Sequence, residues 1–279
     1  MTALGFLCAA ALALLCIVPI ADARVVAPQA AVSRVRKPTV FPRGLSVISL
    51  DWNIVKGTAA RVSLGSRRLR MAVLADNTAV RWANESWVPE GGAGVVSASC
   101  GVEGSKWLLN ADGVALRWNG PKESYEEVKD VPKIALLAAG QSNIAAAYEF
   151  NNGRGTVYLY NTTGWGRLSR VQPLSDLAIG SDASLWAVSS RGQALEYSGN
   201  RWGSRPCRYP LRNIAVADSG HVFALTTDGN LVRYQGGKWV AILGGPFSHV
   251  AAASDGTLLA VRQSGVLVMA NVRSKTSRT

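Results

Sequence analysis

Charged, amide and aromatic side chains recur at equivalent places along this 279-residue sequence, and these residue types could bind a polar ligand. One polar residue stands at the start of each of five short alternating segments, and three segments place an arginine directly before an aromatic residue. Guanidinium, carboxylate and amide groups can hold sugar hydroxyls or phosphates, and aromatic faces can stack on sugar rings. The candidate ligand-binding residues are Asn77, Arg81, Asp112, Arg117, Trp118, Arg154, Arg191, Asp228 and Arg233. For each one taken alone, an ordinary turn or surface residue is the competing interpretation.

Residues suited to catalysis or metal binding are scarce in the sequence. The only histidines are His221 and His249, and there is no His-x-x-x-His or Cys-x-x-Cys pair to ligate a metal. Neither a Gly-x-Ser-x-Gly nucleophile motif nor a Gly-Lys-Ser/Thr phosphate-binding loop is present. We therefore predict a binding protein with no catalytic residues, no metal and no cofactor. His221 is expected to be exposed, because other repeats carry Ser or Thr beside the same turn.

The elements that carry these residues belong to an internal repeat. Alternating segments end at positions 82, 118, 160, 197, 234 and 270, which are 36, 42, 37, 37 and 36 residues apart. A tryptophan follows five residues later in four repeats, at Trp87, Trp165, Trp202 and Trp239, and Tyr125 takes this place in the second repeat. Each repeat is interpreted as four short strands separated by Gly, Asp and Ser turns, a pattern typical of all-β proteins.

Four antiparallel strands per repeat form one blade of a β-propeller. A single blade cannot cover both of its faces, so we expect six blades to stack radially over residues 44–272. The last repeat lacks its final strand, whereas residues 44–52 contain Trp52 with no repeat before it. This N-terminal segment is predicted to supply the missing outer strand, which would close the ring and remove an open sheet edge.

The repeat resembles the tectonin repeat. The matching features are a tryptophan at the start of a unit, a Gly-Ser/Asp turn, Leu185-Trp-Ala-Val188, and Gly229-Asn-Leu-Val-Arg-Tyr234 before the next tryptophan. Tectonins and tachylectin-type lectins are six-bladed propellers that bind glycans, including bacterial lipopolysaccharide in some members. The resemblance covers about residues 44–272, is best in the units that start at Trp165 and Trp202, and is weakest at Tyr125. It implies a lectin for surface glycans, anionic or lipopolysaccharide-type ones among them, bound multivalently through turns at the blade edges.

The repeated aromatic residues have two interpretations, packing and sugar stacking. A position that recurs once per blade is first a packing position, so we expect the outer tryptophans to pack between blades; these are Trp52, Trp87, Trp165, Trp202 and Trp239. The aromatic residues that end the third strands stay open to both interpretations; these are Trp82, Trp118, Tyr160, Tyr197 and Tyr234.

The N-terminus has the pattern of a secretory signal. An almost unbroken apolar run over Leu4–Ile20 is followed by Ala21-Asp-Ala23, a small-x-small cleavage site. We predict a cleaved signal peptide over 1–23, a flexible leader over 24–43 and a basic tail over 273–279. A signal anchor is the alternative, because about 17 apolar residues is the lower limit for spanning a bilayer. The mature protein is expected to be secreted, or in the lumen of the secretory pathway, with no integral membrane association.

Charge and modification motifs agree with an extracellular protein. The chain has 30 basic and 18 acidic residues, a formal net charge of +12, which favours anionic partners. Two sequons predict N-glycosylation at Asn84 and Asn161, both in turns between a third and a fourth strand. Cys100 and Cys207 lie three repeats apart, so no disulfide is expected between them, and Cys207 is a candidate for pairing between chains.

These features predict a secreted, monomeric lectin that is not an enzyme and has no nucleic acid partner. The alternative is a protein–protein interaction propeller, a secreted scaffold or effector, without sugar affinity. A third interpretation is an enzyme that uses the central channel, but the inner strands over 95–98, 134–137 and 214–216 contain no acidic residue for it.

Overall fold

The computed structural model describes residues 47–91, 94–140, 144–161 and 164–272. The predicted signal peptide, leader and basic tail lie outside these ranges. The regular secondary structure of the described residues is almost entirely β-strand, with one 3-10 helix at Gly120–Lys122. No helix in the described ranges is long and apolar enough to cross a bilayer.

The strands group into six sheets. The first two strands of the chain are β1 (Val47–Ile48) and β2 (Asn53–Thr58). Blade 1 contains β3 (Arg61–Leu64), β4 (Arg70–Val73), β5 (Ala79–Ala83) and β6 (Ser86–Pro89). Blade 2 contains β7 (Val95–Cys100), β8 (Lys106–Asn110), β9 (Ala115–Asn119) and β10 (Ser124–Glu127). Blade 3 contains β11 (Leu136–Ala139), β12 (Ala145–Asn151), β13 (Arg154–Asn161) and β14 (Gly164–Val171).

The second half of the ring repeats this organisation. Blade 4 contains β15 (Leu174–Ile179), β16 (Leu185–Ser189), β17 (Ala194–Ser198) and β18 (Arg201–Arg205). Blade 5 contains β19 (Leu211–Asp218), β20 (His221–Thr226), β21 (Leu231–Gln235) and β22 (Lys238–Ile242). Blade 6 contains β23 (Phe247–Ala252), β24 (Thr257–Arg262), β25 (Val266–Asn271) and, from the N-terminal part, β2. The prediction of six four-stranded antiparallel blades is confirmed.

The N-terminal part of the chain closes the ring, but one detail of the prediction is wrong. Strand β2 pairs antiparallel with β25, with Asn53 opposite Met269, so the closing strand starts just after residues 44–52 rather than within them. Before it, β1 pairs parallel with β22 and becomes a fifth strand of blade 5. Trp52 lies between the two strands and donates its Nε1–H to the Leu243 carbonyl at 3.0 Å. The segment therefore joins blade 5 to blade 6 as well as completing blade 6.

The outer tryptophans pack between blades, as predicted. Trp87 donates to the Lys56 carbonyl at 2.7 Å, Trp202 to Ser169 Oγ at 2.8 Å and Trp239 to the Arg205 carbonyl at 3.2 Å. In every case the acceptor belongs to the outer strand of the preceding blade. Trp165 instead packs on the fully buried Trp107 of blade 2, with ring centroids 5.9 Å apart.

The inner strands approach one another closely at one end of the ring. A Cβ atom on Gly65 would overlap the Gly101 carbonyl, and one on Gly101 would overlap the Gly140 carbonyl. A Cβ on Gly140 would lie 3.1 Å from the Gly180 carbonyl oxygen. Blades 1, 2 and 3 can therefore meet at this end only because Gly65 and Gly101 have no side chain, and a Cβ on Gly140 would contact blade 4 tightly.

Candidate functional site

The predicted turn residues lie on one face of the ring. Turns between second and third strands share a face with the connections between blades, because the four strands of a blade run alternately up and down; we call it the A face and the opposite one the B face. The five polar residues are distributed around it, one each in blades 1 to 5; they are Asn77, Asp112, Arg154, Arg191 and Asp228. The fold therefore gives these residues a common face but does not bring them into one pocket.

The third-strand arginines bind to the protein itself. Arg81 Nε lies 2.6 Å from a carboxylate oxygen of Glu90, and Arg117 Nη1 donates to the Tyr160 hydroxyl at 3.1 Å. Arg233 Nη2 donates to the Gly220 carbonyl at 3.3 Å. Burial lowers the pKa of Arg233 from its ordinary value, although a guanidinium stays charged at neutral pH. These three arginines therefore have a structural role in the blades, whether or not they also contact a ligand.

A buried polar cluster between blades 1 and 2 was missed by the sequence analysis. Glu90 pairs with Arg81 and with Lys106, and it accepts a hydrogen bond from the Tyr125 hydroxyl at 3.2 Å. Burial, followed by the charge of Glu90, raises the pKa of Tyr125 far above its ordinary range, so this hydroxyl keeps its proton. The tyrosine that replaces the outer tryptophan in the second repeat therefore binds a carboxylate instead of a carbonyl. No motif indicates the cluster, because its members come from three separate segments.

A cleft at the rim between blades 2 and 3 brings two of the predicted residues together. Its volume is about 580 Å³, and Arg117 and Trp118 line it. Neighbouring wall residues supply an amide, carboxylates, an ammonium group and a phenol; they are Asn119, Glu126, Glu127, Lys129, Asp130 and Tyr160. The other seven predicted residues do not line this blade 2–3 cleft.

Inside the cleft, Trp118 is held in a defined orientation. The Lys106 ammonium lies 3.6 Å from the centroid of its ring, and the Tyr125 ring makes an edge contact with a centroid distance of 5.2 Å. Asn119 and Lys122 both bind the Glu126 carboxylate, at 2.8 and 2.6 Å. These bonds hold the Glu126 carboxyl in its charged form and lower its pKa. The wall of the cleft is therefore preorganised.

A second cavity, the central channel, has a volume of about 230 Å³ and is lined by the inner strands. On five inner strands a polar residue occupies the same register near the A face. Each of them pairs with the same position of the second strand in its own blade. These polar residues are Arg61, Ser97, Asp176, Asn213 and His249. The expectation of inner strands without a carboxylate holds for the three segments considered, but β15 brings Asp176 into the channel.

The channel wall disfavours charge on two of these groups. Asp176 Oδ2 accepts hydrogen bonds from Asn213 Nδ2 and from the Ile214 N–H, both at 2.7 Å. Even so, desolvation raises the pKa of Asp176 to about 6. Desolvation, aided by the positive charges of Arg61 and Arg212, lowers the pKa of His249 to about 3. His249 is therefore neutral at physiological pH, and its buried Nδ1 has no hydrogen-bond partner.

The remaining residues singled out in the sequence have clear locations. His221 is half-buried and pairs with Asp218 at 2.8 Å, so the expectation that it is simply exposed is wrong. Cys100 and Cys207 are both free thiols, which confirms that they do not bridge each other. Asn84 is exposed in the turn between β5 and β6, and Asn161 is exposed at the end of β13. Within the described ranges, no three His, Cys, Asp or Glu residues are grouped so that they could hold a metal ion.

Comparisons with known proteins identify the fold. No family model and no curated protein matches the chain. A gluconolactonase from Xanthomonas campestris is 10% identical with a TM-score of 0.61, over 80% of this chain and 89% of that one. A structure of YCF48 bound to D1 peptide is 16% identical with a TM-score of 0.53, over 80% and 82%. The WD40 repeats of RRP9 are 10% identical with a TM-score of 0.53, over 79% and 97%. At such identities the likeness shows a β-propeller fold and no more.

Proposed function

We propose that the protein is a secreted, monomeric carbohydrate-binding protein of the tectonin and tachylectin type, and that the blade 2–3 cleft is a sugar-binding site. The observation that carries this proposal is the composition of the cleft. One cavity of about 580 Å³ combines the half-buried indole of Trp118 with guanidinium, amide and carboxylate groups. A sugar offers an apolar ring face and a rim of hydroxyls, which match an aromatic surface beside fixed hydrogen-bonding groups.

Preorganisation supports the same proposal. Lys106 and Tyr125 fix the plane of Trp118, and Glu126 is held by two partners of its own. Side chains that are already ordered lose little conformational entropy when a ligand binds. The polar turn residues on the A face would add weak contacts in other blades, as expected for multivalent recognition of a glycan-covered surface.

A protein-interaction propeller without sugar affinity is the second candidate. The observation in its favour is the set of exposed apolar residues in the strands that close the ring: Ile54 on β2 is 79% exposed, and Val47 on β1 and Leu243 directly after β22 are exposed as well. Exposed apolar side chains grouped on one surface are typical of contacts with other proteins. YCF48, one of the proteins with a similar fold, was solved with a bound peptide.

We propose binding without catalysis. Catalytic sites combine several groups with complementary roles around the reacting atoms. In the part of the central channel that the structure describes, Asp176 is the one carboxylate, and its Oδ2 accepts structural hydrogen bonds from Asn213 and Ile214. The secretory signal and the two sequons support an extracellular location.

A glycan array tests the sugar-binding proposal. The mature chain should bind a subset of glycans at 0.15 M and still bind it at 0.5 M NaCl, because binding by charge alone falls steeply with salt. Trp118→Ala should reduce the affinity for those glycans by about tenfold or more, which is about 1.4 kcal/mol. Phe150→Ala is the matched control, since Phe150 is also an aromatic residue, is 49% exposed and does not line the cleft.

Two outcomes would contradict this proposal. An array without any bound glycan would favour the protein-interaction candidate. Equal losses in Trp118→Ala and Phe150→Ala would place sugar recognition outside the cleft. Trp118→Phe keeps an aromatic face beside Tyr125 and should retain part of the affinity, and circular dichroism shows whether Trp118→Ala is folded.

A further inference from the structure

Four exposed arginines lie on the A face, in blades 3 and 4 and in the link to blade 5. Arg154 begins β13 and Arg170 lies near the end of β14, while Arg191 and Arg208 occupy the β16–β17 turn and the link between blades 4 and 5. Arg170 is opposite Thr156, which places it diagonally across from Arg154 on the same side of blade 3. We call these four residues the arginine arc.

Hydrogen bonds between blades make the arc continuous. The Ser190 N–H donates to the Pro173 carbonyl at 2.8 Å, which ties the turn of Arg191 to the chain just after Arg170. On its other side, the Leu211 N–H donates to the Gly192 carbonyl at 2.9 Å, which ties the same turn to the link that contains Arg208. Three residues of chain span at most about 10 Å, so successive arginines of the arc lie within reach of one extended polymer.

The arc keeps its positive charge because the nearby carboxylates have other partners. Glu196 pairs with Arg205 at 2.6 Å, and Glu149 accepts a hydrogen bond from the Tyr158 hydroxyl at 2.9 Å. The negative charge of Asp228 acts on Arg212, whose guanidinium donates to the Phe247 carbonyl. Within the described residues, no hydrogen bond or ion pair engages the guanidinium groups of the arginine arc, although Arg208 contacts the Tyr209 ring with a distance of 5.8 Å.

From this arrangement we infer that the arginine arc binds a linear polysaccharide that carries sulfate or phosphate groups. A guanidinium presents two parallel N–H donors that match the oxygens of a sulfate or a phosphate. Several such groups in succession on one face favour a polymer with repeated anionic groups over a single small anion. The inference does not depend on the proposed sugar site, since none of the four arginines lines the blade 2–3 cleft.

Charge-reversal variants and immobilised heparin test the arc. Arg191→Glu/Arg208→Glu and Arg154→Glu/Arg170→Glu should each raise the heparin Kd at least tenfold at 0.15 M NaCl and elute at lower salt. Arg67→Glu/Arg68→Glu is the matched control: it makes the same change in net charge with two exposed arginines in the β3–β4 turn on the B face. The control should change the Kd less than twofold. Phosphomannan as a second probe distinguishes a phosphate-bearing polymer from a sulfated one.

Three outcomes would overturn the inference. Equal losses in the arc variants and the B-face control would mean that heparin responds only to net charge. Tighter binding of single-stranded RNA than of heparin, lost in the same variants, would make the arc a nucleic acid site. Unchanged heparin binding in correctly folded arc variants, as judged by circular dichroism, would remove the arc from recognition. Trp118→Ala should leave heparin binding intact, so a failure of the cleft proposal can be recognised separately.

Discussion

Asp176 and His249 show how the channel changes the behaviour of single residues. Both lie at the same register on inner strands, and for both the channel wall disfavours the charged form. The consequences for stability are opposite, because one group is an acid and the other a base. The folded state holds a proton on Asp176 up to about pH 6, whereas the folded state excludes a proton from His249 down to about pH 3.

Asp176→Asn should stabilise the protein at pH 7 and have little effect at pH 4. The folded-state pKa of about 6 lies above the ordinary 3.8, so the folded state binds more protons in this window and the contribution of Asp176 to stability falls as pH rises through it. The shift sets an upper limit of about 3 kcal/mol. Urea unfolding at pH 4, 5, 6 and 7 measures the unfolding free energy of the wild type and the variant. A difference between them that does not change with pH would contradict this prediction.

His249→Gln should weaken the pH dependence of the unfolding free energy. The effect appears at acidic pH, whereas that of Asp176→Asn appears at neutral pH. The folded-state pKa of about 3 lies below the ordinary 6.5, so the stability linked to a neutral His249 is present above pH 6.5 and is lost as pH falls towards 3. The wild-type protein should therefore lose more of its unfolding free energy between pH 6.5 and pH 4 than the variant does. The same urea series measures both slopes, and equal slopes would show that His249 does not titrate in this way.

The blades are held together by different contacts at their inner and outer strands. Outer strands use aromatic side chains whose N–H or O–H groups bond the preceding blade, as Trp202 does with Ser169. The inner strands of blades 1 and 2 have no room for a side chain where Gly65 and Gly101 meet the next blade. Neighbouring blades therefore contact each other through backbone at the inner strands and through aromatic side chains at the outer strands.

Gly101→Ala should destabilise the protein by about 3 kcal/mol, because the new methyl group would overlap the Gly140 carbonyl and push blades 2 and 3 apart. Gly166→Ala is the matched control. Gly166 also lies in a β-blade, and the nearest atom to its added Cβ would be the Leu159 oxygen at 3.9 Å. Chemical denaturation of both variants measures the difference, and equal stabilities would mean that the inner strands are not in close contact.

The ring is closed by strand pairing between the two ends of the described chain. Strand β2 covers the edge of β25, and β1 with Trp52 attaches the same segment to blade 5. Closure in this way leaves no unpaired edge on β25, and the last blade cannot open without breaking contacts in two blades. Closure is thus a property of the complete molecule and not of any one repeat.

A chain that starts at residue 59 should unfold at a temperature at least about 10 °C below that of a chain that starts at residue 44, because the shorter chain loses β1, β2 and Trp52. It should also self-associate through the exposed edge of β25. Differential scanning calorimetry and size-exclusion chromatography measure these effects. Equal unfolding temperatures would show that the N-terminal strands do not close the ring.

Periodicity in the sequence was sufficient to predict the architecture. The spacing of residues 82, 118, 160, 197, 234 and 270 gave the number of blades, and Trp52 correctly indicated an N-terminal contribution to the last blade. Such patterns are local, because a blade is built from consecutive strands and its side chains alternate with a period of two. The turns that contain Asn77, Asp112, Arg191 and Asp228 could be assigned to one face for the same reason.

The candidate sites depend on contacts between blades, which no local pattern contains. Trp118 lines the blade 2–3 cleft together with Tyr160 of blade 3. Glu90 is buried where Lys106 and Tyr125 reach it from the next blade. Arg170 and Arg208 come close to Arg154 and Arg191 only because blades 3, 4 and 5 stand side by side in the ring. Repeats share their backbone geometry, so the sequence is enough to predict the ring. Which side chains meet between neighbouring blades is decided by packing between residues about 37 positions apart.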